Sequence, residues 1–258
     1  MLNYDNKKNE AIITTVYPVV NGNGANYIAM NLAYAAKEKD PHAKIAVVDF
    51  DFNHPYLGLA LQDDRYHGID NLIDKINGGF LDEDLFTENM VMLKEDIYLL
   101  KGTKMGRFQS VVRQEHLQDI VAHLKKLYDY VFIATNAEAT DGGTPVGLFS
   151  ANNILILGRY NQANKAMAQK ASNNITAMAG PADIGILYNF YDGQNGISLN
   201  EEFGQWLVFG TVPYQSETVD NINLYDRGLS LSKLGGGKRT KGTNVQETYA
   251  NVLEAFHI

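Results

Sequence analysis

VYPVVNGNGANYIAMNLAYA, residues 16–35, ends a β-branched strand, passes through two Asn-Gly pairs and continues as a helix. In the helical part Ile28, Leu32 and Ala35 recur on one face. Gly22 and Gly24 let backbone N–H groups converge on an anion, and the start of a helix adds the positive end of its dipole. The layout is that of a phosphate cradle. The full pattern G-x-x-x-x-G-K-[ST] is not present, so on spacing alone an ordinary βα turn is the better reading.

Outward from this stretch, Val- and Ile-rich runs alternate with helical patterns. Strands are predicted over 11–17, 44–50, 130–135, 152–158 and 184–189, with a short one over 206–211 ending near Pro213. Helices are predicted over 25–38, 68–77, 114–127, 162–178, 216–226 and 244–256. Near-continuous apolar strands separated by helices imply a sheet covered on both faces. The expected class is α/β: a doubly wound, mainly parallel sheet flanked by helices. No repeat or long linker appears, so residues 1–258 read as a single domain.

Composition sets further bounds. Of the 258 residues, 45% are hydrophobic, enough for a sizeable core. Cysteine is absent, which removes disulfides, thiolate nucleophiles and Cys-ligated metals. Twenty-two basic residues against 30 acidic give a net charge of -8, which speaks against a global electrostatic grip on nucleic acid. No apolar run reaches the roughly 18 residues of a spanning helix, and residues 1–18 lack the apolar core of a signal peptide. A soluble, cytoplasmic protein is expected.

Further segments raise the phosphate reading. KIAVVDFDFNHPYLGLAL (44–61), GIDNLIDKINGGFLDEDLF (68–86) and DIYLLKGTKM (96–105) are followed by YDYVFIATNAE (128–138), ILYNFYDG (186–193) and FGTVPYQSETVDNINLYDRGLSL (209–231). In this order the set resembles the MinD/ParA family of P-loop ATPases, and the DFDFNHPYLGLAL wording looks most like its CpaE/TadZ branch. The resemblance implies a P-loop NTPase-like fold, ATP or ADP with magnesium as ligand, a dimer, and protein partners in a positioning machine. Asp49 and Asp51 match the Asp-x-Asp that approaches the attacking water and the metal. By the same resemblance, Gly22, Asn23, Gly24, Ala25 and Asn26 would form the phosphate loop. Asn189 matches the base-reading Asn, and Pro213 the proline lining the base pocket.

The same comparison removes charge and ligands. The signature lysine falls on Val20, the second lysine on Ala25, the magnesium-holding Ser/Thr on Asn26 and the Walker B aspartate on Ala134. Val and Ala offer neither charge nor ligand, and Asn26 offers only an amide oxygen. Between Lys8 and Lys37 there is no Lys or Arg. A like-charge contact near 4 Å costs about 4 kcal/mol at a partly screened dielectric, against roughly half a positive charge from the helix end. The expectation is therefore a non-hydrolysing scaffold or positioning factor for a pilus, secretion, conjugation or partition system. The alternative is a nucleotide-binding ATPase with an atypical phosphate loop, using Asp49 and Asp51 with magnesium and a lysine from elsewhere; a nucleotide bound without hydrolysis would be met by the amides of 22–26 and Asn189.

Blander roles compete at several positions. Asp49 and Asp51 also suit a turn with capping carboxylates, and Asn189 suits a bond to the turn after its strand. Lys233, Lys238, Arg239 and Lys241 in a Gly-rich run read as a solvated loop rather than a phosphate or lipid patch, and GGGKRT lacks P-loop spacing. His116 and His123 read as core or surface groups, not metal ligands. The regions of Thr144 and Ser150 show no nucleophile elbow. NVQETYANVLEAFHI reads as the last helix of the domain, so membrane docking through a tail is not expected, and DNA binding is weakly supported at this charge.

Overall fold

The computed structural model describes residues 10–60, 68–103, 112–139, 142–159, 161–191, 207–213 and 245–258. The predicted helix over 216–226, the basic run over 235–242 and Lys233 lie outside the described residues. Eight strands form one sheet: β1 (Ile12–Pro18), β2 (Ile45–Asp49), β3 (Val91–Lys94), β4 (Ile97–Leu100), β5 (Tyr130–Ala134), β6 (Asn153–Arg159), β7 (Asp183–Tyr191) and β8 (Leu207–Pro213). Their order across the sheet is β3-β4-β2-β5-β1-β6-β7-β8. All neighbours are parallel except β3 and β4.

The helices are α1 (Ala25–Lys39), α2 (Tyr56–Ala60), α3 (Ile69–Asn77), α4 (Glu83–Glu88), α5 (Gln114–Leu127), α6 (Gly143–Ser150), α7 (Gln162–Met178) and α8 (Val245–Ala255). Strand alternation divides their partners, because successive side chains point to opposite faces. Ile45 and Val47 of β2, Phe132 of β5 and Leu155 and Leu157 of β6 pack with α1 and α8. Ala46 and Val48 of β2 and Val131 and Ile133 of β5 face the other way, onto α3 and α5. Ile154 and Ile156 of β6 join Ile186 and Tyr188 under α7. Both faces are thus covered, which is the doubly wound architecture the apolar strands imply. No described helix is long and apolar enough to cross a membrane.

The short helices α2 and α4 add to the predicted elements, and β3 and α6 depart from the sequence expectation. β3 is an antiparallel edge strand made of alternately buried and open residues (Val91, Met92, Leu93, Lys94) rather than a continuous apolar run. α6 is built from GTPVGLFS, whose Gly and Pro read as loop. It forms because the sheet receives it closely: Thr15 donates through Oγ1 to Gly147 O at 2.7 Å. A Cβ on Gly147 would come within 3.0 Å of Thr135.

β1 lies at the centre, between β5 and β6. From it the chain runs through α1 to β2 on one side, while β6, β7 and β8 extend the sheet on the other. The carboxyl end of β1 is therefore a topological switch point, where open α/β sheets hold their ligands.

Candidate functional site

Backbone geometry at the switch point follows from the two glycines. After Val19 donates to Leu157 O at 2.9 Å, Asn23 N closes a turn onto Val20 O at 3.2 Å. Gly22 sits in this turn at φ +83°, and Gly24 caps α1 at φ +90°, both in the region that favours glycine. The first amides of a helix have no partner within it, and α1 has no acidic residue in its first turn and no side-chain cap. These amides open on a cleft of about 440 Å³.

Buried asparagines hold the loop from behind. Asn23 donates through Nδ2 to Asn164 Oδ1 at 2.8 Å and to Leu157 O at 3.3 Å. Asn164 in turn bonds Asn161, the cap of α7. Asn189, fully buried, donates through Nδ2 to Asn23 O at 2.9 Å and accepts Phe190 N through Oδ1 at 2.9 Å. Asn189 is thus a clamp on the loop before α1, while the ring beside it, Phe190, lines the cleft. Pro213 stands opposite Tyr191 at the end of β8 and is not among the described residues lining the cleft.

The two aspartates are separated by their surroundings. Asp49 is fully buried at the end of β2, and its carboxylate accepts Leu57 N at 3.0 Å and Asp51 N at 3.2 Å. Burial pushes its pKa up to about 8, against the pull of these two amides and with a smaller push from Asp51. Asp51 lines the cleft and accepts His54 N at 3.0 Å and Asn136 Nδ2 at 3.3 Å. A third wall follows β5. Ala137 N donates to Asn21 Oδ1 at 2.8 Å, Tyr17 OH donates to Ala137 O at 3.2 Å, and Thr135 lines the cleft. Ala134, the last residue of β5, is completely buried beside Asp49 in register.

Asn26 places its Oδ1 in a buried position with no hydrogen-bond partner among the described residues. It lines the same cleft as Asp51. An unpaired amide oxygen and a carboxylate are the donor types magnesium takes when it arrives with phosphates. The described lining residues include no Lys or Arg: Val20 packs on the cluster of Val19 and Ile156, and Ala25 is buried. The oxygen set and the amide cradle thus fit a magnesium nucleotide, while the cation that would meet its phosphates is not in the lining.

One cation escaped the sequence reading. Arg159, at the end of β6, reaches Gly22 O with Nη2 at 3.4 Å and lies 4.9 Å over the Phe190 ring. No local pattern marks it. The only pointer was its place at the carboxyl end of a central strand, where α/β sheets gather ligand contacts. Among the described residues no group of three or more His, Asp or Glu could hold a metal, and His116 instead bonds Asn77 Oδ1 at 3.0 Å.

No protein-family model and no curated protein matches the chain. Solved structures do. A ParA family ATPase from Chlorobium tepidum matches with TM-score 0.75 and 17% identity, over 96% of this chain and 99% of the other. The septum site-determining protein MinD with Mg-ADP from Pyrococcus horikoshii matches with TM-score 0.72 and 18% identity, over 96% and 97%. A plasmid partition protein from Borrelia burgdorferi bound to AMPPNP gives TM-score 0.62 and 14% identity, over 96% and 98%. At these identities the likeness is one of fold, and the fold is the MinD/ParA type of P-loop NTPase.

Proposed function

We propose that this protein is a positioning or assembly factor built on the MinD/ParA fold, with a cleft that does not turn over ATP. The observation that carries the reading is the cleft itself. Its described lining holds a single carboxylate, Asp51, one imidazole, His54, and no Lys or Arg, where phosphoryl chemistry needs fixed cations. Asp49 supports it, since both carboxylate oxygens are spent on backbone amides that shape the turn. The protein serves partners of a pilus, secretion, conjugation or partition system through its surfaces, as a constitutive or partner-driven dimer rather than one clamped by ATP. The net charge of -8 makes those partners proteins in preference to DNA.

A second reading is a nucleotide-binding protein with an atypical loop, favoured by the unpaired Asn26 Oδ1 and by Arg159 at the loop mouth. In that reading the amides of residues 22–26 cradle the phosphates. Asn26 and Asp51 would hold a magnesium ion, which would supply positive charge against the phosphates. Phe190 faces the base, and Asn189 keeps the loop in shape for it.

Calorimetric titration with Mg-ATP, run beside a phosphate-release assay, separates the two. Neither heat nor phosphate is the expected result. Micromolar binding without release supports the second reading, and magnesium-dependent turnover defeats the first.

A further inference from the structure

We infer that Asn21 is a site of spontaneous deamidation, selected by the fold from among the three described Asn-Gly pairs. The pairs in the chain are Asn21-Gly22, Asn23-Gly24, Asn77-Gly78 and Asn195-Gly196, the last outside the described residues. The chemistry needs only water. The Gly22 nitrogen gives its proton to hydroxide and attacks Cγ of Asn21. The new N–Cγ bond closes a succinimide while the Cγ–Nδ2 bond breaks, and Nδ2 leaves as ammonia with a proton from solvent. Water then opens the ring at either carbonyl, leaving aspartate or isoaspartate. An amide and one water become an acid and one ammonia, with no change of oxidation state. Glycine as the following residue matters because it presents no Cβ to hinder the approach of its nitrogen.

The surroundings of Asn21 favour each step. Asn21 and Gly22 are both exposed. In their turn the closing bond runs from Asn23 N to Val20 O and leaves the Gly22 amide outside it. Ala137 N donates to Asn21 Oδ1 at 2.8 Å. That oxygen gathers the negative charge when nitrogen adds to Cγ, so the Ala137 amide acts as an oxyanion donor. Asn21 Nδ2, the departing nitrogen, faces Glu138 Oε1 at 3.4 Å.

The other two described pairs are held back. Asn23 is 1% exposed, and its Nδ2 is committed to Leu157 O and Asn164 Oδ1. Gly78 spends its N–H on Asp74 O at 3.1 Å at the end of α3, so the attacking nitrogen of that pair is already committed. Modification at Asn21 would place a new carboxylate on the cleft rim beside Glu138 and lower the affinity of the cleft for anions. The inference stands whether or not nucleotide binds.

The test is peptide mapping of the full chain aged in mildly alkaline buffer, folded and in urea. In the folded chain Asn21 should convert about tenfold or more ahead of Asn23 and Asn77, since Asn23 is sealed from water and the attacking Gly78 nitrogen must first give up its bond to Asp74 O. In urea the three should converge. Asn21→Gln, which lengthens the ring to be closed, should abolish conversion at position 21 in the folded chain. An intact Asn21 amide, or the same ranking of the three in buffer and in urea, overturns the proposal.

Discussion

Replacing Gly24 by alanine tests how firmly the loop before α1 is gripped. At φ +90° an L side chain is strained, at a cost of about 1 kcal/mol. The new Cβ would also stand 2.5 Å from Asn189 Nδ2. That atom is not the end of a flexible chain, since Asn189 is fully buried and bonded to both Asn23 O and Phe190 N. It must move, and Asn23 O then loses its donor inside the protein, for about 1–3 kcal/mol. The sum is about 2–4 kcal/mol. For a chain of this size each kcal/mol lowers Tm by about 2–4 °C, so thermal unfolding followed by circular dichroism should show a drop on the order of 10 °C. The double variant with Asn189→Ala opens the space the Cβ needs, so the two costs should fall short of adding by about 1 kcal/mol. A wild-type Tm for Gly24→Ala, or strict additivity in the cycle, would refute the clamp.

Three other outcomes follow from the same site. Between about pH 4 and pH 8 the folded Asp49 carboxyl keeps a proton that the unfolded chain has released, so its contribution is full below the ordinary carboxylate range and is lost as pH rises through about 8. Asp49→Asn should remove that part of the slope, up to about 1.4 kcal/mol per pH unit, in urea titrations across the window; an unchanged slope means that Asp49 titrates normally. Arg159→Gln takes a guanidinium off the Phe190 ring and away from Gly22 O. Stability should change by less than about 1 kcal/mol, while any binding of inorganic phosphate seen by titration weakens; equal phosphate binding in both proteins would show that this cation does not serve the loop. Installing Ala25→Lys, Asn26→Thr and Ala134→Asp together should create Mg-ATP binding measurable by calorimetry, and no gain at all would mean that the loop positions are wrongly matched.

The strand-loop-helix at 16–35, the alternation of apolar strands with helices and the Asp49-x-Asp51 pair were legible because each is written in neighbouring residues. Strand bounds moved by one or two positions: β7 runs Asp183–Tyr191 against the expected 184–189, and β8 reaches Pro213 itself. α6 was not legible, because its Gly and Pro favour a turn and only its close seat on Thr15 and Thr135 makes it a helix. β3 was missed since a half-open edge strand carries no apolar run. For Asn189 the sequence suggests a base or a bond to its own turn; it bonds Phe190 N, but it also holds Asn23 O, which is far from it in sequence.

By itself, then, the sequence determined the layered α/β plan and the absence of lysine and arginine between Lys8 and Lys37, because burial on a repeating strand or helix face leaves a local period and charge can be counted along the chain. Tertiary structure alone decided which aspartate is sealed and which faces the cleft, that Arg159 stands at the loop mouth, and that Asn23, Asn164 and Asn189 form one clamp. Those relations depend on which strands lie side by side and in what register, and no short stretch of chain encodes them.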